Sequence, residues 1–294
     1  MVKESSWGAR VFNAINIGLL VGMGLLCILP LWYTLSLSLS EKSAAAAGLV
    51  KLWPVGFNFN SYKQIMDDMR FFKSFWISIE RVVLGASINF VVILLMAYPL
   101  SKSNKDFKGR DILMWVLIFT MLFNGGLIPW YLTVKAVGLI NSIWALVLAG
   151  SAPVFSVILV VNYFRNLPKE LEEAATMDGA GPWLMLFRIY MPLAVPVLAT
   201  VTLFSIVYHW NEFFNGLVLM TKTTNFPLQT YIRQVVVVIN TSNMTEDQYK
   251  KLSELSNQTL NAAKIFIAMI PVLLVYPSLQ KYFITGITLG SVKG

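Results

Sequence analysis

Six stretches of this chain are long and apolar enough to cross a membrane, and they limit the fold before any motif is read. They cover residues 11–36, 75–100, 112–134, 142–163, 193–220 and 262–284. Each is close to or beyond the ~20 residues that carry an α-helix across a bilayer. Hydrocarbon offers no water to backbone N–H and C=O groups, and each run far exceeds a barrel strand, so helices follow. The expected fold is all-α: a polytopic domain of six transmembrane helices over residues 11–285, flanked by short tails at 1–10 and 286–294. Composition agrees. Hydrophobic residues make up 56% and charged residues 13%, about half the charged share of a soluble domain.

The net charge of +8 does not point to nucleic acid, because the basic residues sit in loops and form no stripe interleaved with aromatics. Their distribution sets orientation instead. The short 101–110 loop holds Lys102, Lys105, Lys108 and Arg110, whereas the equally short 135–141 loop holds Lys135 alone. The positive-inside rule then places the first of these loops, both termini and residues 165–192 in the cytoplasm. Charges in the long loops at 37–73 and 221–261 count for little under that rule. The first apolar run greatly exceeds the ~7–15 residues of a signal-peptide core, so it is expected to remain as a span. The lone cysteine, Cys27, lies within it and gives neither a disulfide framework nor metal-ligand spacing. One histidine cannot build a multi-histidine metal site.

Residues 165–192 form a polar interlude with its own helix signals. Asn166 is a capping residue type, Pro168 suits a first turn, and Glu170, Glu172 and Glu173 follow where negative charge favours a helix N-terminus. Ala174 and Ala175 leave a smooth surface for another protein. Gly179 is placed to end the helix in the left-handed conformation, with Asp178 beside it as an acceptor and Ala180 following. Gly181-Pro182 opens a second short helix with an apolar side of Trp183, Leu184 and Phe187. Such a stiff elbow at a membrane surface suits a protein moved by a soluble motor.

Within the spans, polar groups are costly and face a cavity or a partner helix. The main cluster is His209, Trp210, Asn211 and Glu212 with Asn215, read either as pathway lining or as an interhelical hydrogen-bond knot. Glu80 and Arg81 point in different directions on one helix and are expected to meet other helices or snorkel outward. Asn124-Gly125-Gly126 with Pro129-Trp130 interrupts the third run, and a kink is expected there. No G-x-x-x-x-G-K-[ST] loop is present, so the chain is not expected to hydrolyse nucleotide itself. Two other readings stand beside the motor-driven one. An ion-coupled secondary transporter would lean on Glu80 and Glu212. An intramembrane enzyme would lean on His209 with Ser205.

Glu173-Ala174-Ala175, Gly179, Ile189 and Pro192, at these spacings, resemble the EAA motif of ABC-importer permeases, with Met191 in place of the usual leucine. The run from Gly286 to Gly294 is similar to the carboxyl tail of maltose-type sugar permeases. Phe123-Asn124-Gly125-Gly126-Leu127-Ile128-Pro129 and Pro227-Leu228-Gln229 look like the subgroup serving complex saccharides, alginate-oligosaccharide importers among them. The resemblance implies a bacterial inner-membrane permease paired with a second, related permease. It implies two ATPase subunits that bind ATP and Mg, an extracytoplasmic solute-binding protein and a saccharide cargo, and no cofactor in this chain. It further implies that Glu172 through Ala180 form the coupling helix seated on one ATPase, and that Gly290, Val292, Lys293 and Gly294 reach the ATPase interface. Asn124, Trp130, His209, Trp210, Asn211, Glu212 and Asn215 remain the candidates for the pathway.

Overall fold

The computed structural model describes residues 7–150, 152–237 and 258–291, the last of these from residue 278 onward as backbone only. Every regular element among the described residues is helical. The apolar runs reappear as helices, but among the described residues only three are unbroken and long enough to span alone: Trp7–Ser38, Met69–Ser101 and Gln258–Pro277, the last within a helix continuing to Ser291. The third run is a bent pair, Arg110–Leu122 and Leu127–Ala136, turned by 115°. The fifth divides into Val195–Asn211 and Phe214–Leu219, and the interlude's Pro182–Leu193 meets it at 83°. The fourth divides into Ile143–Leu148 and Val154–Arg165, with Pro153 at the break.

Packing divides the chain into two compact units. One comprises the described residues of Met1–Met69 and Gln234–Ile270. Its first helix, Trp7–Ser38, is exposed along most of its length and buries only Ser36 and Ser38. The chain then folds back over the helix end. Trp32 Nε1 and Ser36 Oγ both donate to the Leu52 carbonyl, at 2.6 and 2.9 Å, and Ser40 Oγ accepts from Val55 N at 3.1 Å. A short helix, Asn60–Met66, forms within the 37–73 loop. Ser61 and Asp68 fasten it to the last helix through Thr259 at 3.0 Å and Lys264 at 2.8 Å.

The second unit, Arg70–Arg233 and Pro271–Gly294, holds the main core. Three helices contribute residues at three- and four-residue spacing, which puts each set on one helical face. Ile93, Ala97 and Leu100 come from Met69–Ser101, Val157, Val160 and Phe164 from Val154–Arg165, and Val197, Leu198 and Val201 from Val195–Asn211. The interlude adds Ala175, Leu186 and Tyr190 to the same cluster. The elbow is therefore built into the core. The helix Leu228–Val237 lies in the 221–261 loop, of which residues 238–257 are outside the described residues.

Candidate functional site

The elbow consists of the helix Lys169–Met177, a turn, and the helical run Pro182–Leu193, whose middle, Met185–Tyr190, winds as a π-helix. Its first helix ends in a Schellman motif. Gly179 has φ +80°, its N–H reaches the Thr176 carbonyl at 3.0 Å, and Ala180 N–H reaches the Ala175 carbonyl at 2.9 Å. These two bonds satisfy carbonyls that the helix end leaves open. Gly179 thus does what its position predicts. Asn166 does not: it is the C-cap of Val154–Arg165, and Pro168 precedes the elbow helix with no side-chain cap. The connection is too short for Asn166 to serve the second helix.

Ala174 is exposed, but Ala175 is only 9% exposed and joins the core, correcting the expectation that both alanines form the outer surface. Residues three apart share a helix face, and Ala175 shares its face with Glu172. The Glu172 carboxylate meets Lys102 Nζ at 2.6 Å and accepts from the Tyr190 hydroxyl at 2.6 Å. Lys102 also donates to Tyr190 at 3.0 Å and lies over the rings of Tyr98 and Tyr190. Burial raises the Glu172 pKa, but the bonds from Lys102 and Tyr190 outweigh it and hold the carboxyl below its ordinary range. Arg110 and Arg165 both donate to the Leu100 carbonyl, at 3.0 and 3.2 Å, closing the C-terminal end of Met69–Ser101. The latch of Lys102, Glu172 and Tyr190 borders an open cavity of about 740 Å³ between the 101–110 loop and the elbow. Glu173, Met177, Asp178 and Gly179 remain exposed, Met177 at 89%.

A second polar set joins Met69–Ser101 to Val195–Asn211. Arg81, fully buried, donates to the Glu212 carbonyl at 2.8 Å and to its Oε2 at 2.6 Å. Glu212 Oε1 in turn accepts the Asn215 backbone N–H at 2.7 Å. The ion pair thereby satisfies the backbone between Val195–Asn211 and Phe214–Leu219, where the span is interrupted. Deeper along the same helices, Asn89 meets Ser205 Oγ at 3.2 Å and His209 Nε2 at 3.3 Å. A Cβ on Gly85 would fall 2.4 Å from the His209 ring, so only glycine lets the ring approach. Arg81, Gly85 and Asn89 are spaced by four, so they present one face.

The pathway candidates therefore separate. His209 and Trp210 are buried between helices, Trp210 edge-on to Phe75 at 5.7 Å. Asn211 is exposed. Asn124, Trp130 and Asn215 come together on an open cavity of about 380 Å³, with Phe214 among its other walls. Of the tail candidates, Gly290 falls in the backbone of the last helix, and Val292, Lys293 and Gly294 lie outside the described residues. Sequence reading missed Lys102 and Tyr190 as elbow residues, and Gly85 and Asn89 as partners of His209. Apart from Tyr190 with Glu172, 18 residues apart, each pairing spans at least seventy residues, beyond the reach of local spacing.

Bent and broken apolar helices around a buried ion pair, with a polar elbow locked to one end, define a multi-pass membrane permease. The chain belongs to the family of binding-protein-dependent transport system inner membrane components, which matches residues 80–289. Members are permease subunits of ABC importers, transport components and not enzymes. A polygalacturonan/rhamnogalacturonan transport system permease of Bacillus subtilis (strain 168) is 36% identical over 97% of this chain and 99% of its own. A diacetylchitobiose uptake system permease of Streptomyces coelicolor is 26% identical over 100% and 93%. Among solved structures, a bacterial ABC transporter involved in import of the acidic polysaccharide alginate superposes with TM-score 0.84 at 35% identity, covering 95% of this chain and 98% of that one.

Proposed function

We propose that the chain forms one half of the translocation pathway of an oligosaccharide importer, the other half being a second, homologous permease. Its saccharide arrives from an extracytoplasmic solute-binding protein. Its elbow, residues 165–192, docks on one of two ATPase subunits that bind ATP and Mg. Both termini and the elbow lie in the cytoplasm in this reading, which the crowding of Lys102, Lys105, Lys108 and Arg110 in one short loop supports. The saccharide class is supported by relatives named for pectic, chitin-derived and alginate cargo, which share nearly the full length of this chain.

The observation that carries this reading is the elbow's stiffness. It has a capped end, a core residue in Ala175, and a charged latch to the end of Met69–Ser101. A push on Met177 and its neighbours is thereby delivered to the membrane helices and not absorbed by bending of the elbow. Rigid-body rocking between two discrete packings then alternates access to the pathway. Reconstitution with a sister permease, ATPase and binding protein tests this. Saccharide uptake into vesicles must require ATP and fall when Lys102→Met breaks the latch. Uptake that proceeds without the ATPase subunits refutes the reading.

A further inference from the structure

The cavity at the two helix breaks has an aromatic and amide wall without charge. One break, at 123–126, is shaped by Gly126 at φ +90° and by the Gly126 N–H bonded to Asn124 Oδ1 at 2.9 Å. The other, at 212–213, is held by Arg81 on Glu212. Together they bring the aromatic side chains of Trp130 and Phe214 and the exposed carboxamide of Asn124 to one open space of about 380 Å³, with Asn215, largely buried and bonded to Tyr208, at its edge. None of the residues lining it is charged. Of the cations held at the 212–213 break, Arg81 is fully buried on Glu212 and Arg233 lies over the Phe213 ring, and neither lines the cavity.

We infer that this cavity is a saccharide subsite that reads the C–H faces and hydroxyls of a pyranose and is blind to its charge. The proposal rests on the pathway reading above and deepens it. Aromatic rings offer large apolar faces of defined geometry to the C–H side of a sugar. Carboxamides supply both donors and acceptors for hydroxyls. A uronate carboxylate placed against this wall finds no cation, so it gains nothing here and must keep its water. Discrimination between acidic and neutral chains therefore lies outside this cavity.

The test uses the reconstituted importer, with Ala149→Cys on the cavity wall in a Cys27→Ser background, labelled by an uncharged methanethiosulfonate reagent. Cellotriose and trigalacturonate, a neutral and an acidic trisaccharide, serve as probes. Both are expected to slow labelling to a similar extent, at low and at high salt alike. Trp130→Ala or Phe214→Ala should raise the half-protecting concentration about tenfold, the equivalent of about 1.4 kcal/mol. Trp130→Tyr, which keeps a ring, should retain protection and guards against a merely misfolded alanine variant. Protection by trigalacturonate alone, weakened by salt, overturns the proposal; so does an introduced thiol that labels without protection or never labels. ATP hydrolysis stimulated by the binding protein, measured on the same vesicles, separates the two claims. Intact stimulation without protection sinks the subsite alone, and absent stimulation in the unsubstituted importer sinks the functional reading.

Discussion

Gly179 offers the cleanest perturbation because its surroundings are empty. A Cβ added there meets nothing within 4 Å, so a substitution acts through backbone conformation and not through a clash. At φ +80° a residue with a side chain carries about 1–3 kcal/mol of strain. The two bonds that the conformation maintains, Ala180 N to Ala175 O and Gly179 N to Thr176 O, contribute about 0.5–1.5 kcal/mol each. Strain and reward are therefore of equal size, and the identity of the side chain decides whether the helix end holds. Asparagine, which visits the left-handed region readily, should keep the turn. Alanine should weaken it, and valine should unwind it. In proteoliposomes containing the full importer, saccharide-stimulated ATP hydrolysis should fall in the order Asn, Ala, Val, with the permease inserted at normal levels throughout. Equal loss in all three would show that the glycine matters as a contact surface and not as a conformation. Full activity in Gly179→Val would refute the reasoning outright.

Arg81→Met leaves the Glu212 carboxylate without its cation and should destabilise the permease by about 3–5 kcal/mol. Arg81→Met with Glu212→Gln should recover part of that loss, which thermal unfolding in detergent would measure as a coupling energy. Gly85→Ala forces a Cβ to within 2.4 Å of the His209 ring and should cost about 1–3 kcal/mol by overpacking. Adding His209→Ala should relieve it, and equal stability of the single and double variants would contradict the contact. The depressed pKa of Glu172 gives a sign for acid sensitivity. The latch contributes above the ordinary glutamate range and is lost as pH falls through the lower, folded-state value. Coupling measured by uptake per ATP should therefore persist at neutral pH and decline only in acid below the ordinary glutamate range, and Glu172→Gln should abolish that decline.

Much of the fold follows from the length of the apolar runs, because hydrocarbon leaves a long apolar segment no alternative to a helix. The break at Asn124-Gly125-Gly126 is legible for the same reason that it exists, since glycine admits the φ that the turn needs. Its 115° extent is not legible, because the angle depends on packing that periodicity does not encode. The fourth run reads as one helix, and a single proline, Pro153, is a weak signal against the long apolar stretch on its far side. Glu172 and Gly179 stand out because the elbow's chemistry is local. Lys102 reads only as a topological charge, since its partners, Glu172 and Tyr190, lie 70 and 88 positions away. Ala175 reads as surface because two adjacent alanines look alike in sequence. The helix turns one outward and the other into the core.

The most direct measurement is a cross-link from the elbow tip. Met177, 89% exposed at the end of the capped helix, is the natural position, as Met177→Cys in a Cys27→Ser background within the assembled importer. A short bifunctional thiol reagent should join it to the ATPase subunit from the cytoplasmic side, with a yield that changes between nucleotide-free and ATP-bound states. A thiol that labels only from the opposite side of the membrane, or never joins the ATPase in either state, would contradict the coupling role of the elbow.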